Sequence, residues 1–448
     1  MGFRPAMASA EAQADRHRTL RALYEAAVAA AHPDVCLVPH LPQPPDGGRL
    51  FIVGAGKAAA SMAVAAERHY RSLGLLGRVT GFTTAPHGSQ EALAAPLPSA
   101  IEIVSARHPT PDEASQAAAE RALALVAAAT PRDHVLVLLS GGASSLWAAP
   151  AAGLTLGDKT GLSRGLLKCG ADIHEMNTVR RHVSRIKGGR LRKATPAPML
   201  TLAISDVPGD DPATIGSGPT VPDPTTLAEA RAVIARRGPA LQAIGLSLPP
   251  AVAAALDNPG NETPKPGDPA FASAEYRLIA TPAAAIAAAA ALARQKGYEV
   301  IDLGDAVTGE AREVAETHAR LARDLAAAGR RAAILSGGEL SVTVRNAKGR
   351  GGRNQEYALA AALALDGLDS VSLLAADTDG IDGGTGKVTD PAGAIVDGGT
   401  VARARHLAAA KFLDNNDATS FFEAAGGLIV CGPTQTNVND FRVILVDA

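Results

Sequence analysis

The chain has 448 residues, 47% hydrophobic and 20% charged, the balance of a folded globular protein with apolar material for two or three domains. A net charge of −2 and an aromatic content of 3% argue against nucleic acid or an anionic membrane as partner. Three scattered cysteines, Cys36, Cys169 and Cys431, form no CxxC pair, which speaks against a disulfide frame or zinc knuckle and predicts a reducing, cytoplasmic setting.

In chain order, the opening MGFRPAMASAEAQADRHR lacks the apolar core of a signal peptide. Thr19 to Ala31 reads as a helix, and Pro39, Pro42, Pro44 and Pro45 end it. Short apolar runs then alternate with Ala/Leu-rich helical stretches: LFIVGAGK, IEIVSARHP, HVLVLLSGG and LTLAISDVPGD, followed by YRLIATP, YEVIDLGD, AAILSGG and VSLLAADTDG. Continuous apolar strands between helices predict an α/β fold with largely parallel sheets covered on both faces. Thr110-Pro111-Asp112-Glu113 offers an N-cap, a proline for the first helical position and a capping-box Glu, so a helix is expected to start there. The stretch MNTVRRHVSRIKGGRL, Met176 to Leu191, reads as one cation-rich helix. Proline and glycine between Leu246 and Ala270 mark a boundary, placing an N-terminal domain at 1–260 and a C-terminal domain at 261–448. The alanine-rich run from Thr281 meets Arg294 before reaching membrane-spanning length, so no membrane span is expected.

The unusual polar clusters all follow apolar runs, where open α/β sheets bind ligands. Gly54-Ala55-Gly56-Lys57 opens a helix and reads either as a tight turn or as an anion site with a mobile positive charge. Ser140-Gly141-Gly142-Ala143-Ser144-Ser145 is a second strand-to-helix turn, suited to N-capping or to cradling a phosphate or carboxylate. Asp206 ends the run LTLAIS and is a candidate Mg²⁺ ligand or acceptor of a hydroxyl proton, while Asp210 and Asp211 read as solvated turn residues. Gly218 lies in the hydroxyl-bearing loop GSGPT that follows. Arg181 and Lys187, with Arg180, His182 and Arg185, form either a solvated face or a cationic wall for an acid. Arg350 and Arg353 stand among glycines before a helix, where a guanidinium can clamp a phosphate. Asp377 and Asp379 follow VSLLAA as a metal-binding pair or a structural turn; no Glu stands at the twelfth position that an EF-hand requires. GPTQTNVNDF reads as a loop-shaping segment. Glycine turns, one lysine, an arginine-rich loop and strand-end aspartates are the components of phosphoryl transfer.

Taken in order, GAGKA, SGGASSL, MNTVRRHVSRIKGGRL, SDVPGDDPATIGSGPT, GRGGRNQE, ADTDGIDG and GPTQTNVND resemble the glycerate 2-kinases that carry a MOFRL domain, a family whose bacterial members are often called hydroxypyruvate reductases. The resemblance covers most of the chain. It implies two three-layer α/β/α domains with an active-site cleft between them, and ATP- and Mg²⁺-dependent phosphorylation of D-glycerate at the 2-hydroxyl. It also implies catalytic roles for Lys57, Asp206 and Arg353. Around them, Gly54, Gly56, Ser140, Gly141, Gly142, Ser144, Arg181, Lys187 and Gly218 are the expected substrate- or phosphate-binding residues, and Asp206, Asp377 and Asp379 the expected metal ligands. The partners are then small molecules, with a homo-oligomer left open.

Two other readings compete. The GxGxxA pattern of Gly54, Gly56 and Ala59 fits an NAD(P)H-dependent hydroxypyruvate reductase, but the next apolar run, RVTGF, ends without the acid that would hold a ribose. A non-catalytic binder of small phosphorylated acids or sugars would also use glycine turns, yet has no need of the Asp206 and Arg353 loops.

Overall fold

A computed structural model describes residues 4–246, 248–384 and 387–447 of the chain. The chain forms two compact units: Pro33–Ile279, and a second built from the residues up to His32 together with those from Ala280 onward. The opening helix α1 (Arg4–Ala31) is longer than the expected Thr19–Ala31 and belongs to the second unit.

In the first unit, β1 (Leu50–Ala55) leads into α2 (Ala59–Ser72), then β2 (Val79–Pro86) and β3 (Ile101–Ala106). Helix α3 (Glu113–Ala127) crosses to β4 (His134–Leu139); α4 (Leu156–Lys168) and α5 (Ile173–His182) precede β5 (Met199–Ile204). Then come α6 (Leu227–Ala243), α7 (Pro250–Asp257) and β6 (Ala274–Ala280). The sheet order is β3-β2-β1-β4-β5-β6, and the pairs β1/β2, β1/β4, β2/β3 and β4/β5 are all parallel. Leu50 and Ile52 point to one face of β1 and Val53 and Ala55 to the other, and all four are fully buried, so both faces are covered. Val53 and Ala55 join Val135, Val137 and Leu139 against Ala118, Ala122 and Val126 of α3. The alanines at that contact let the helix approach the sheet closely.

Three local expectations shift. Helix α3 begins two residues later than TPDE suggested, because Asp112 is the cap: its carboxylate accepts from Ser115 N at 3.0 Å and Ser115 Oγ accepts from Asp112 N at 3.2 Å. The cation-rich stretch is not one helix, since α5 ends at His182 and Arg185 N donates to Ala149 O at 2.9 Å. The break near residue 260 moves to the end of β6, because YRLIA adds a sixth strand beside β5 instead of founding a new sheet.

The second unit runs through α8 (Pro282–Gln295), β7 (Glu299–Asp302), α9 (Ala311–Ala327), β8 (Ala332–Ser336), α10 (Arg353–Ala364) and β9 (Val371–Asp377). It closes with β10 (Gly393–Asp397), β11 (Leu428–Ile429) and β12 (Asp440–Val446). Thr281 caps α8 through Ala284 N, with Pro282 at the first helical position. The sheet order is β11-β10-β9-β12-β8-β7. Here the expectation of parallel strands is corrected: β7/β8 is parallel, but β12 inserts antiparallel between β9 and β8, and β9/β10 and β10/β11 are antiparallel as well. The central strands β8, β9 and β12 are buried along their whole length. Their continuous apolar runs therefore report two covered faces, whichever way the neighbours run. Ala315, Ala319 and Ala322 of α9 and Tyr357 to Ala362 of α10 cover one face. On the other, α1 packs against α8 and the sheet, and is fixed by Arg16 Nε donating to Ser372 Oγ (3.0 Å) and Tyr24 OH to Asp377 O (2.9 Å). Among the described residues, no helix is long and apolar enough to cross a membrane.

Candidate active site

In the first unit the chain winds from β1 outward through β2 and β3, then crosses to β4 on the opposite side of β1. The switch point lies between β1 and β4, and crevices at such points are where open α/β sheets bind ligands. The two turns that leave these strands are stitched together there. Lys57 N donates to Gly141 O at 2.8 Å, Ala58 N to Ser140 Oγ at 3.0 Å, and Ser140 N to Ala55 O at 3.1 Å. Gly56 N is taken by Thr84 O at 3.1 Å. Gly56 has φ +140°, and a Cβ there would overlap Ser140 Oγ. Gly54 lies inside β1, where a Cβ would come within 2.8 Å of Leu138 O. These glycines thus serve close packing of two turns, and the amides of Gly56, Lys57 and Ala58 are spent on the protein itself. Ser140 is fully buried as their acceptor.

What the two turns present is side chains. A Cβ placed on Gly142 (φ +84°) would lie 2.9 Å from the His108 ring and 3.6 Å from Lys57 Cγ, so the loops after β1, β3 and β4 converge at this point. Beside them opens a pocket of about 410 Å³, lined by His108, Gly142, Ser144 and Ser145, by Lys159 and Arg164 of α4, and by Arg180 and Lys187. Lys187 is fully buried, and its Nζ donates to Ser144 O (2.7 Å), Ser144 Oγ (2.9 Å) and Gly216 O (3.4 Å). Burial, then the charges of Lys159 and Arg180, push its pKa well below that of a free lysine. Arg181 does not line the pocket. It is buried in an ion pair with Asp223 at 2.6 Å, and its neighbour Arg180 lines the pocket instead. Gly218 (φ +62°) ends the short turn Ile215–Ser217, and its carbonyl accepts from Gly189 N at 2.8 Å. Asp206 is half-buried just beyond β5, the strand next to β4.

In the second unit Arg353 opens α10 and is gripped from several sides. Its Nε donates to Asp440 Oδ1 and Oδ2 at 2.9 and 2.8 Å, Nη1 to Glu339 Oε1 at 2.9 Å, and Nη2 to Asp377 Oδ2 at 3.0 Å. Burial works against this charge, but Asp440, Asp377 and Glu339 outweigh it and raise the pKa. Asp382 caps the same helix, accepting from Asn354 N at 3.0 Å and Gln355 N at 2.8 Å. Burial, followed by the nearby Asp440, lifts its pKa to about 6 against those hydrogen bonds. Asp377 is fully engaged, with Oδ2 on Arg353 and Oδ1 accepting from Asp379 N at 3.0 Å. Arg353, Asp382 and Gly352 line a pocket of about 450 Å³ together with Leu340 and Glu356.

Residues 19–257 match the family described as "Domain of unknown function (DUF4147)", and residues 332–440 match the MOFRL family. The D-glycerate 2-kinase of Thermotoga maritima is 38% identical over 405 residues, 89% of this chain and 91% of that protein. The chain belongs to the glycerate 2-kinase family. A protein of Agrobacterium vitis named "Putative hydroxypyruvate reductase" is 46% identical over 437 residues, 96% of this chain and 94% of its own. The crystal structure of glycerate kinase from Thermotoga maritima superposes with a TM-score of 0.82 at 36% identity, covering 96% of this chain and 99% of that one.

For a glycerate 2-kinase, the structure groups the expected residues by unit. Lys57, Gly142, Ser144 and Lys187 gather at the switch point of the first sheet, whereas Arg353, Asp377 and Asp379 gather at the start of α10. Sequence reasoning passed over His108, Lys159 and Asp440. Asp440 carried a signal: it is the acid that starts the run FRVILV, which is a central strand and not a loop. Lys159 carried none, since a lone lysine inside a helix reads as surface charge.

Proposed function

We propose that the protein transfers the γ-phosphoryl of ATP to the 2-hydroxyl of D-glycerate, giving 2-phosphoglycerate and ADP. The observation that carries this reading is Lys57 at the switch point beside a pocket walled by cations, within a chain related along most of its length to named glycerate 2-kinases. The 2-hydroxyl oxygen forms a bond to the γ-phosphorus as the bond to the β,γ-bridging oxygen breaks. Asp206 takes the hydroxyl proton. Lys57 and Arg353 offset charge on the phosphoryl oxygens. Mg²⁺, when bound with the nucleotide, would supply further positive charge, and it takes only one or two protein carboxylates. In the second unit Asp377 and Asp379 are the carboxylates that would hold it, with Asp377 Oδ2 also accepting from Arg353, Asp377 Oδ1 from Asp379 N and Asp379 Oδ1 from Ile381 N.

The reductase reading has less support. A dinucleotide pyrophosphate would need the amides of the GAGKA turn, and those of Gly56, Lys57 and Ala58 are bonded to Thr84, Gly141 and Ser140. The test is a pair of assays on the full chain: ADP release with ATP and D-glycerate, and NADH oxidation with hydroxypyruvate. ADP release is expected, with ³¹P NMR showing the 2-phosphate. Lys57→Ala and Arg353→Ala are each expected to lower kcat by roughly 10²–10³-fold, the loss typical of removing one transition-state contact. Near-normal turnover in both variants, or hydride transfer in place of ADP release, would overturn the proposal.

A further inference from the structure

The pocket beside the β4 turn carries positive charge that its own residues do not balance. Lys159 is 5% exposed, and its Nζ has no hydrogen-bond partner among the described residues. Lys187 Nζ is met by neutral oxygens of Ser144 and Gly216. Arg164 on the same helix, Arg180 on α5 and His108 from the β3 loop face the same space, with Arg190 near enough to act on Lys159 electrostatically. Among the described residues, no aspartate or glutamate lines it. Burying cations together without a counter-ion is costly, and burial followed by Arg180 and Arg190 brings the Lys159 pKa down to about 7. Such a cluster makes physical sense as half of a site whose other half is an anion.

We propose that this pocket is the acceptor subsite, that it takes a small hydroxylated carboxylic acid, and that Lys159 binds the carboxylate. The proposal rests on the kinase reading above and names where in the first unit the acid sits. Two observations favour the acid over the nucleotide. The phosphates of ATP arrive with a divalent cation that protein carboxylates help to hold, and this lining has none. Phosphate chains are also commonly cradled by backbone amides of glycine turns, and the neighbouring amides of Gly56, Lys57 and Ala58 are already used. The side chains offer the Lys159 ammonium and the Arg164 and Arg180 guanidinium groups to a carboxylate, while the hydroxyl oxygens of Ser145 and Thr160, which donate to Gly142 O and Leu156 O, can accept from a hydroxyl of the acid.

Lys159→Met keeps most of the unbranched apolar stem and removes the ammonium group with its charge. In the full-length protein, KM for D-glycerate is expected to rise at least roughly tenfold while KM for ATP stays within about twofold, as for one lost charge-assisted contact. Without ligand the variant should melt no lower than wild type, because a buried unpaired cation is gone. The upward Tm shift that D-glycerate gives the wild type in the absence of ATP should disappear, and glycerol, which lacks the carboxylate, should give no shift in either. Should Lys159→Met prevent folding, Arg164→Met on the exposed rim of the same wall should show the same split in KM. A rise in KM for ATP alone, or unchanged KM values in both variants of an active kinase, overturns the subsite and leaves the kinase. Binding of glycerate that depends on Lys159 but yields no ADP overturns the kinase and leaves the subsite. Neither binding nor turnover of glycerate by the wild type overturns both.

Discussion

Replacing Arg181 with methionine separates a structural from a substrate-binding role for the cation-rich segment. Arg181 and Asp223 form a 2.6 Å ion pair with side chains 3% and 0% exposed. Arg181→Met would leave the Asp223 carboxylate buried without its counter-charge, a loss of about 3–5 kcal/mol in comparable pairs. Asp223 would keep the Thr225 amide at 3.0 Å, Thr225 Oγ1 at 2.7 Å and Thr263 Oγ1 at 3.0 Å, which places the cost near the lower end. For a folding unit of roughly 250 residues each kcal/mol moves Tm by about 2–4 °C, so a fall of about 6–12 °C is expected. Calorimetry should show it, and Arg181→Met with Asp223→Asn should recover part of the loss. At a temperature where the variant is folded, KM for glycerate should stay within about twofold of wild type. An unchanged Tm with a raised KM would refute the reasoning and return Arg181 to the substrate.

Gly56→Ala is expected to cost at least about 3 kcal/mol, as low solubility or a lowered Tm, because a φ of +140° and contact with Ser140 leave no room for Cβ; a soluble variant of normal Tm would contradict this. Glycerate affinity should fall as pH rises through about 7, where Lys159 loses its proton, and KM measured at pH 6 and pH 8.5 will show whether it does. Unliganded stability should move the other way. Between about 7 and 10.5 the unfolded chain holds the Lys159 proton that the folded one has lost, so that contribution rises with pH. Asp440→Asn should lower kcat by at least about tenfold by freeing Arg353, whereas Glu339→Gln, at the exposed end of the same guanidinium, should change it less than about threefold; equal effects would count against a positioning role for Asp440.

The parts of the fold that were legible are those set by local chemistry. Continuous apolar runs such as HVLVLL announce strands covered on both faces, and Thr281-Pro282 announces a helix start. Strand direction was not legible in the second unit. Burial demands the same composition of a central antiparallel strand as of a parallel one, and β12 follows a polar segment that looks like a loop. The end of the first compact unit was not legible for a related reason: prolines and glycines mark an irregular path, but only pairing with β5 shows that β6 still belongs to the first sheet. In the site, strand-end position located Lys57 and the β4 turn, because parallel sheets place such turns together. Whether a glycine turn keeps its amides for a ligand depends on the partner across the switch point, and that is a tertiary fact.

The two clusters balance their charge in opposite ways, and this bears on what each can do. Arg353 is enclosed by Asp440, Asp377 and Glu339, so it is held in one orientation with or without substrate. A guanidinium arranged in advance pays no reorganisation when charge develops near it, which suits stabilisation of a transferring phosphoryl group. Lys159 and Lys187 have no such enclosure, and their charge is depressed by burial, for Lys159 also by Arg180 and Arg190 and for Lys187 also by Lys159 and Arg180. A bound anion would restore it. The first arrangement favours rate and the second favours selection, because a neutral analogue of the acid would leave the buried cations uncompensated. Discrimination by a charge left unpaired is larger than discrimination by shape. An enzyme built this way should accept several small hydroxy acids of similar size and refuse the corresponding alcohols.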